Sequence, residues 1–139
     1  GSKNFVKLIN KLNEKGNYFF FIQCGLDQKK ISEEIIKNIK KKNYMDISQI
    51  SIEEIIPYLN LCDMYVGNDT FPHHVTSQSN KPSIIILLNS PKAYSDYSIN
   101  HYRVIPDNVK IDEINHNSNF NPDSVSVEKV LDKIIQVQN

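Results

Sequence analysis

The spacing of apolar positions changes period several times along the chain, and each change marks a predicted element. Phe5, Leu8, Ile9 and Leu12 recur every three or four residues, and Gly16-Asn17 follows as a stop, which predicts a helix over residues 4–15. Residues 18–24 then form an aromatic and aliphatic run interrupted only by Gln23, the pattern of a strand covered on both faces. Gly25 breaks the run, and Asp27 opens a predicted helix with Ile31, Ile35, Ile36 and Ile39 on one face. The three lysines at 40–42 suit the end of that helix, where the peptide dipoles favour positive charge. A short strand over 44–48 follows. Ser51 with Glu54 has capping-box spacing for a helix through residue 61. Residues 64–67 and 83–88 read as strands around a helix over 70–79 that carries Pro72 in its first turn. A last strand is expected over 102–105, and a closing helix, capped by Asp123 or Ser124, carries Val127, Val130, Leu131, Ile134 and Ile135. Strand and helix alternate four times, so the economical arrangement is a parallel sheet with helices on both faces.

Length and charge narrow the function. A chain of 139 residues suits one domain, so a single domain over residues 3–139 is expected, with Gly1-Ser2 read as a tag remnant and the chain as a fragment of a larger protein. Lysine plus arginine equals aspartate plus glutamate at 16 each, and Arg103 is the only arginine, which argues against a nucleic-acid partner. The longest apolar run is too short to cross a bilayer, and no signal-peptide pattern precedes it, so no transmembrane segment and a cytoplasmic location are expected. Cys24 and Cys62 lack metal-ligand spacing and are expected as free, buried thiols in a reducing compartment.

The chemistry concentrates in "GNDTFPHH", residues 67–74, where a strand turns into a helix. Open parallel sheets bind ligands at such carboxyl-end junctions, and a helix N-terminus there offers N–H groups to a phosphate. Asp69 can only accept hydrogen bonds and suits sugar hydroxyls, whereas Thr70 and His74 can donate to a diphosphate. The competing explanation is that Asp69 and Thr70 merely cap the helix, worth about 1 kcal/mol. Adjacent His73 and His74 project about 100° apart on an ideal helix, which speaks against a shared metal ion, and no metal or cofactor is expected. There is no G-x-S-x-G elbow, dinucleotide fingerprint or P-loop.

The order "SIEEIIPYLNLCDMYVGNDTFPHHVTSQSNKPSIIIL" resembles the C-terminal, donor-binding domain of glycosyltransferase family 9, the ADP-heptose:lipopolysaccharide heptosyltransferase family. Ser51-Ile52, Cys62-Asp63, Gly67-Asn68-Asp69-Thr70, Pro72, His74 and Lys81-Pro82 fall in step with the family pattern, and the likeness extends more loosely over most of the chain. It implies a Rossmann-like three-layer α/β/α domain with a mostly parallel sheet, one half of a GT-B fold. It also implies that Asp69 holds donor-sugar hydroxyls, that Thr70, the following amides and His74 hold the diphosphate, that Ile50 lines the base pocket and that Asp27 takes the ribose. In the family, transfer inverts the sugar without an essential metal and the acceptor is activated by a carboxylate in the N-terminal domain, so the resemblance implies a missing N-terminal acceptor domain. The isolated chain is therefore expected to be inactive.

The implied role is heptosyl or hexosyl transfer in bacterial lipopolysaccharide or surface-glycan synthesis. The donor is a nucleotide sugar, an ADP-sugar favoured, and the whole protein is expected in the cytoplasm, peripheral to the inner membrane. Two departures bear on it. Phe71 stands where the family has glycine, so it is expected to crowd a phosphate on the backbone, and Leu88-Asn89-Ser90-Pro91 replaces Phe-Gly-Pro-Thr, with Asn89 able to adopt a left-handed backbone. The family's phosphate-binding Thr and Lys before the first helix have no counterpart. Three alternatives stay open: a non-catalytic nucleotide-sugar-binding or partner subunit, another nucleotide-sugar enzyme such as an epimerase, and a degenerate domain that has lost its ligand.

Overall fold

The computed structural model describes all residues, 1–139. Two compact units divide the chain, Gly1–Tyr58 and Leu59–Asn139. In the first unit, α1 (Ser2–Lys15) runs the length its apolar spacing predicts, and the Gly16 N–H closes it on the Leu12 carbonyl at 3.1 Å. The strand predicted over 18–24 forms a ladder only as β1 (Phe20–Ile22), parallel to β2 (Tyr44–Asp46). An apolar run sets which residues want burial; the length of the partner strand sets how many are paired, and Phe19 is left exposed.

After β1, Asp27 does not open the helix directly. It sits in a 3-10 turn, Leu26–Gln28, and α2 (Lys29–Asn38) follows. This displacement turns Ile31 outward and buries Ser32, whose hydroxyl donates to the Lys29 carbonyl at 2.9 Å. Ile35 and Ile39 join Ile9 and Ile22 in one core cluster. The lysines predicted to end α2 lie beyond it. Lys41 Nζ donates to the Asn13 carbonyl at 2.8 Å, and Lys40 faces Glu14 at 3.9 Å, so both serve the last turn of α1. The capping box is present at α3 (Ile52–Leu61), where the Glu54 N–H meets Ser51 Oγ at 3.3 Å and Ser51 Oγ donates to the Glu54 carboxylate at 2.8 Å. Pro57 lies within this helix.

The second unit holds β3 (Tyr65–Asn68), α4 (Phe71–Gln78), β4 (Ser83–Ile86), β5 (His101–Val104) and α5 (Val127–Gln138). The three strands are parallel in the order β3–β4–β5, with Gly67 opposite Ile85 and Ile86 opposite Val104. Central β4 is the most buried: Ser83, Ile84 and Ile85 are inaccessible to solvent. Helix α4 packs on β3 and β4, and α5 on β4 and β5. The closing helix is capped by Ser126 instead of Asp123 or Ser124, which belong to a 3-10 turn, Pro122–Ser124. Ser126 Oγ accepts from the Lys129 N–H at 3.2 Å. The architecture is α/β with parallel strands throughout.

Neither cysteine is in a disulfide, as expected, but each is only partly buried, contrary to the expectation of buried thiols; that burial still raises both thiols above their ordinary range. Asn89 does not adopt a left-handed backbone. The positive φ angles belong to Asn80, just past α4, and Asn108. No helix is long and apolar enough to cross a membrane.

Candidate donor-binding site at the carboxyl end of β3

Strand β3 delivers Asn68, Asp69 and Thr70 to the sheet's carboxyl edge, and α4 begins at the next residue. Gly67 leaves room for Tyr65 to fold along the strand: a Cβ at position 67 would run into the Tyr65 hydroxyl. That hydroxyl donates to the Asn68 carbonyl at 2.8 Å and lies 3.2 Å from Thr70 Oγ1. Burial pushes the Tyr65 phenol up to about 12.

The capping explanation for Asp69 and Thr70 does not describe what they do. Thr70 occupies the N-cap position, yet its side chain makes no capping bond and turns instead toward Tyr65 and the Asn68 carbonyl. Asp69 reaches along the helix. Its side chain is only 7% exposed, and Oδ1 accepts from the Nε2–H of His73, which is wholly buried. The Nε2 of His74 stands 3.7 Å from the same oxygen. Asp69 Oδ2 is buried and has no partner; the Ser90 hydroxyl is close enough to favour the charged form without completing a hydrogen bond. The His73 bond, outweighing the opposing cost of burial, holds the Asp69 carboxyl below the ordinary carboxylate range.

Three imidazoles and a phenol pack around this carboxylate. His74 pairs through Nδ1 with the Tyr97 hydroxyl and stacks near its ring, with centroids 5.7 Å apart. His101 donates from Nδ1 to the Ser95 carbonyl at 2.8 Å and meets the His73 ring edge-on at 5.1 Å. Burial is the main reason that His74 and His101 are held below the ordinary histidine value, so both are neutral at pH 7. The His73 and His74 centroids are 3.6 Å apart, and ligand atoms of Asp69, His73 and His74 all lie within 4.8 Å of one another. The rings are thus brought together despite their divergent Cβ directions. In the arrangement seen, however, the facing nitrogen of His73 uses its proton on Asp69, which makes the pair a hydrogen-bonded dyad.

A cleft of about 460 Å³ opens beside this cluster, walled by Asn68, Asp69 and Thr70 on one side and by Ser118, Asn119 and Phe120 on another. Ile86, Leu88 and Asn89 extend it along β4. Of the residues expected at the site, Asp69 and Thr70 line this cleft, and His74 stands beside Asp69 outside the lining. Phe71, the first residue of α4, is also outside the lining and 42% exposed. Its backbone is helical, so a side chain in place of the family's glycine carries no left-handed strain here. Pro72 has no N–H and the His73 N–H returns to the Thr70 carbonyl at 3.2 Å, which leaves fewer free donors in this turn than a helix start usually offers. Asp27 and Ile50 belong to the first unit, Asp27 exposed in its 3-10 turn and Ile50 just before α3.

Sequence reasoning missed His73, Tyr97 and the wall at 118–120. His73 had a usable signal, since it follows Asp69 by four residues and shares its side of α4. The asparagine-rich stretch around 118–120 had none, because a polar connector reads the same whether or not it borders a cleft.

Comparison with known proteins identifies the family and the fold. A family model described as "Glycosyltransferase family 9 (heptosyltransferase)" matches residues 2–108. Lipopolysaccharide heptosyltransferase 1 of Campylobacter coli is 27% identical over 111 residues, which is 77% of this chain and 32% of that protein. The solved E. coli ADP-heptose lps heptosyltransferase II superposes with a TM-score of 0.77 at 15% identity, over 99% of this chain and 41% of that one. The chain therefore spans about a third of the length of the curated relative it matches, and the structural likeness establishes its fold. The family model covers residues 2–108, well over half of the chain, and on that match the chain belongs to glycosyltransferase family 9.

Proposed function

We propose that residues 3–139 form the donor-binding half of a GT-B glycosyltransferase that moves a heptosyl or hexosyl group from a nucleotide sugar, an ADP-sugar by preference, in lipopolysaccharide or related surface-glycan synthesis. The observation that carries this reading is Asp69: an ionised, almost wholly buried carboxylate at the carboxyl end of β3, one oxygen fixed by His73 and the other without a partner. Such an oxygen is an acceptor waiting for a hydroxyl.

In this role Asp69 takes hydroxyls of the sugar, while the first turn of α4 and the neutral ring of His74 face the diphosphate. The acceptor's oxygen attacks the anomeric carbon as the bond to the diphosphate breaks, and the acceptor's proton goes to a carboxylate of a separate N-terminal acceptor domain. Negative charge then grows on the departing diphosphate, where the helix N–H groups and the His74 ring N–H stabilise it without a metal ion. The whole protein would work on the cytoplasmic side of the inner membrane, close to its acceptor.

Calorimetric titration with ADP-, UDP- and GDP-sugars tests the reading. The chain should bind an ADP-sugar, EDTA should leave binding unchanged, and Asp69→Ala should weaken it about tenfold or more, as expected for loss of a charged acceptor. Equal affinity of wild type and variant, or no binding of any nucleotide sugar, overturns it.

A further inference from the structure

The cleft beside Asp69 has a chemical character that distinguishes one part of a nucleotide sugar from another. No lysine, arginine or histidine is in its lining. A diphosphate placed there would meet Asp69 and no opposing charge, and desolvating it without a cation is costly. What the lining offers instead is neutral. The carboxamides of Asn68, Asn89 and Asn119 come from three separate segments, and none makes a hydrogen bond within the protein. Each can both donate and accept, up to twice each, which matches vicinal hydroxyls. Asp69 adds its unpartnered Oδ2, while the Thr70 hydroxyl beside it is turned to the Asn68 carbonyl at 3.4 Å.

Phe120 adds an apolar face. It packs against the buried cluster of Ile85, Leu87 and Ile114 while remaining partly exposed at the cleft. The Ser118 hydroxyl is already committed, donating to the Glu113 carbonyl at 3.2 Å and accepting from the Asn115 N–H at 2.9 Å. It fixes the turn that presents Asn119 and Phe120, and is not itself free to read a ligand.

We propose that this cleft is the glycosyl subsite and that the segment before α5, through Asn119 and Phe120, selects the sugar: the three free carboxamides read its hydroxyls, and Phe120 backs its C–H face. The inference rests on the donor-binding reading and adds to it a second wall, remote in sequence from the Asp69 junction, that recognises a neutral polyol and leaves the diphosphate outside.

Paired titrations of the 139-residue chain with ADP-glucose and with ADP test it, using wild type, Asn119→Ala and Asn89→Ala, all exposed positions whose truncation leaves the core untouched. Each variant should weaken ADP-glucose binding about three- to tenfold and leave ADP affinity within twofold of wild type. Equal losses for ADP and ADP-glucose, or no loss for either, overturn the assignment while the donor reading stands. If the wild-type chain binds neither nucleotide, the donor reading fails and the subsite is judged on free glucose at millimolar concentration. Side-chain amide shifts at Asn68, Asn89 and Asn119 in NMR spectra then sustain it, and their absence refutes it.

Discussion

Because the Nδ1–H of His101 is committed to the Ser95 carbonyl and its Nε2 is buried with no partner, a second proton on this ring has no acceptor to meet. The groups around it are the rings of His73, His74 and Tyr97, the Arg103 guanidinium and, farther off, Asp69. Burial holds both His101 and His74 below the value near 6.5 at which an unfolded histidine takes its proton. As pH falls through that value the unfolded chain binds protons first, so stability is full above about pH 7 and declines toward the depressed folded values. Melting temperatures of wild type and His101→Asn, measured from pH 7.5 to 5.5, should converge as pH falls; parallel curves would rule this out. At this scale Asp69 was legible, since an aspartate at a strand-to-helix junction has a short list of uses. The His73 partnership was not, because Cβ directions on an ideal helix do not fix where two rotatable rings come to rest.

Among the elements, β4 depends least on anything beyond its own sequence. Its isoleucines have strong strand preference, both ladder neighbours run parallel to it, and Ile84 and Ile85 are inaccessible to solvent. Truncation of Ile84 to alanine leaves a cavity that the surrounding strands cannot collapse into, at a cost of about 2–5 kcal/mol, read as a lowered urea midpoint with an unchanged slope. A cost below about 1 kcal/mol would mean that this strand is less tightly packed than its burial indicates. Elements with local signals were readable in advance: α1 by its period and Gly16, and α3 by the Ser51 and Glu54 pair. Elements whose limits come from distant partners were not. The 18–24 run is apolar at six of its seven positions, but β2 pairs with only three residues of it, and Lys40 and Lys41 after α2 answer to the Glu14 carboxylate and the Asn13 carbonyl of α1.

At the scale of the molecule, membership of the family followed from the junction motif and the parallel α/β plan from the alternation of strand and helix, whereas the cleft followed from neither. Its walls are the ends of β3 and β4 and a connector some fifty residues beyond Asp69, and only folding places them together. The absence of basic side chains from that cleft separates two contributions to affinity by their response to electrolyte. Contacts between amides and hydroxyls displace no counter-ions and are not screened, whereas attraction of a diphosphate is. Raising sodium chloride from 50 to about 500 mM, which contracts the Debye length to below about 5 Å, should therefore weaken ADP itself. The margin by which ADP-glucose outbinds ADP should stay constant across the same series. A margin that shrinks with salt would mean that the glycosyl group is held by charge after all; a margin that holds would let mere brine report which part of the donor the protein recognises by shape and hydroxyl pattern alone.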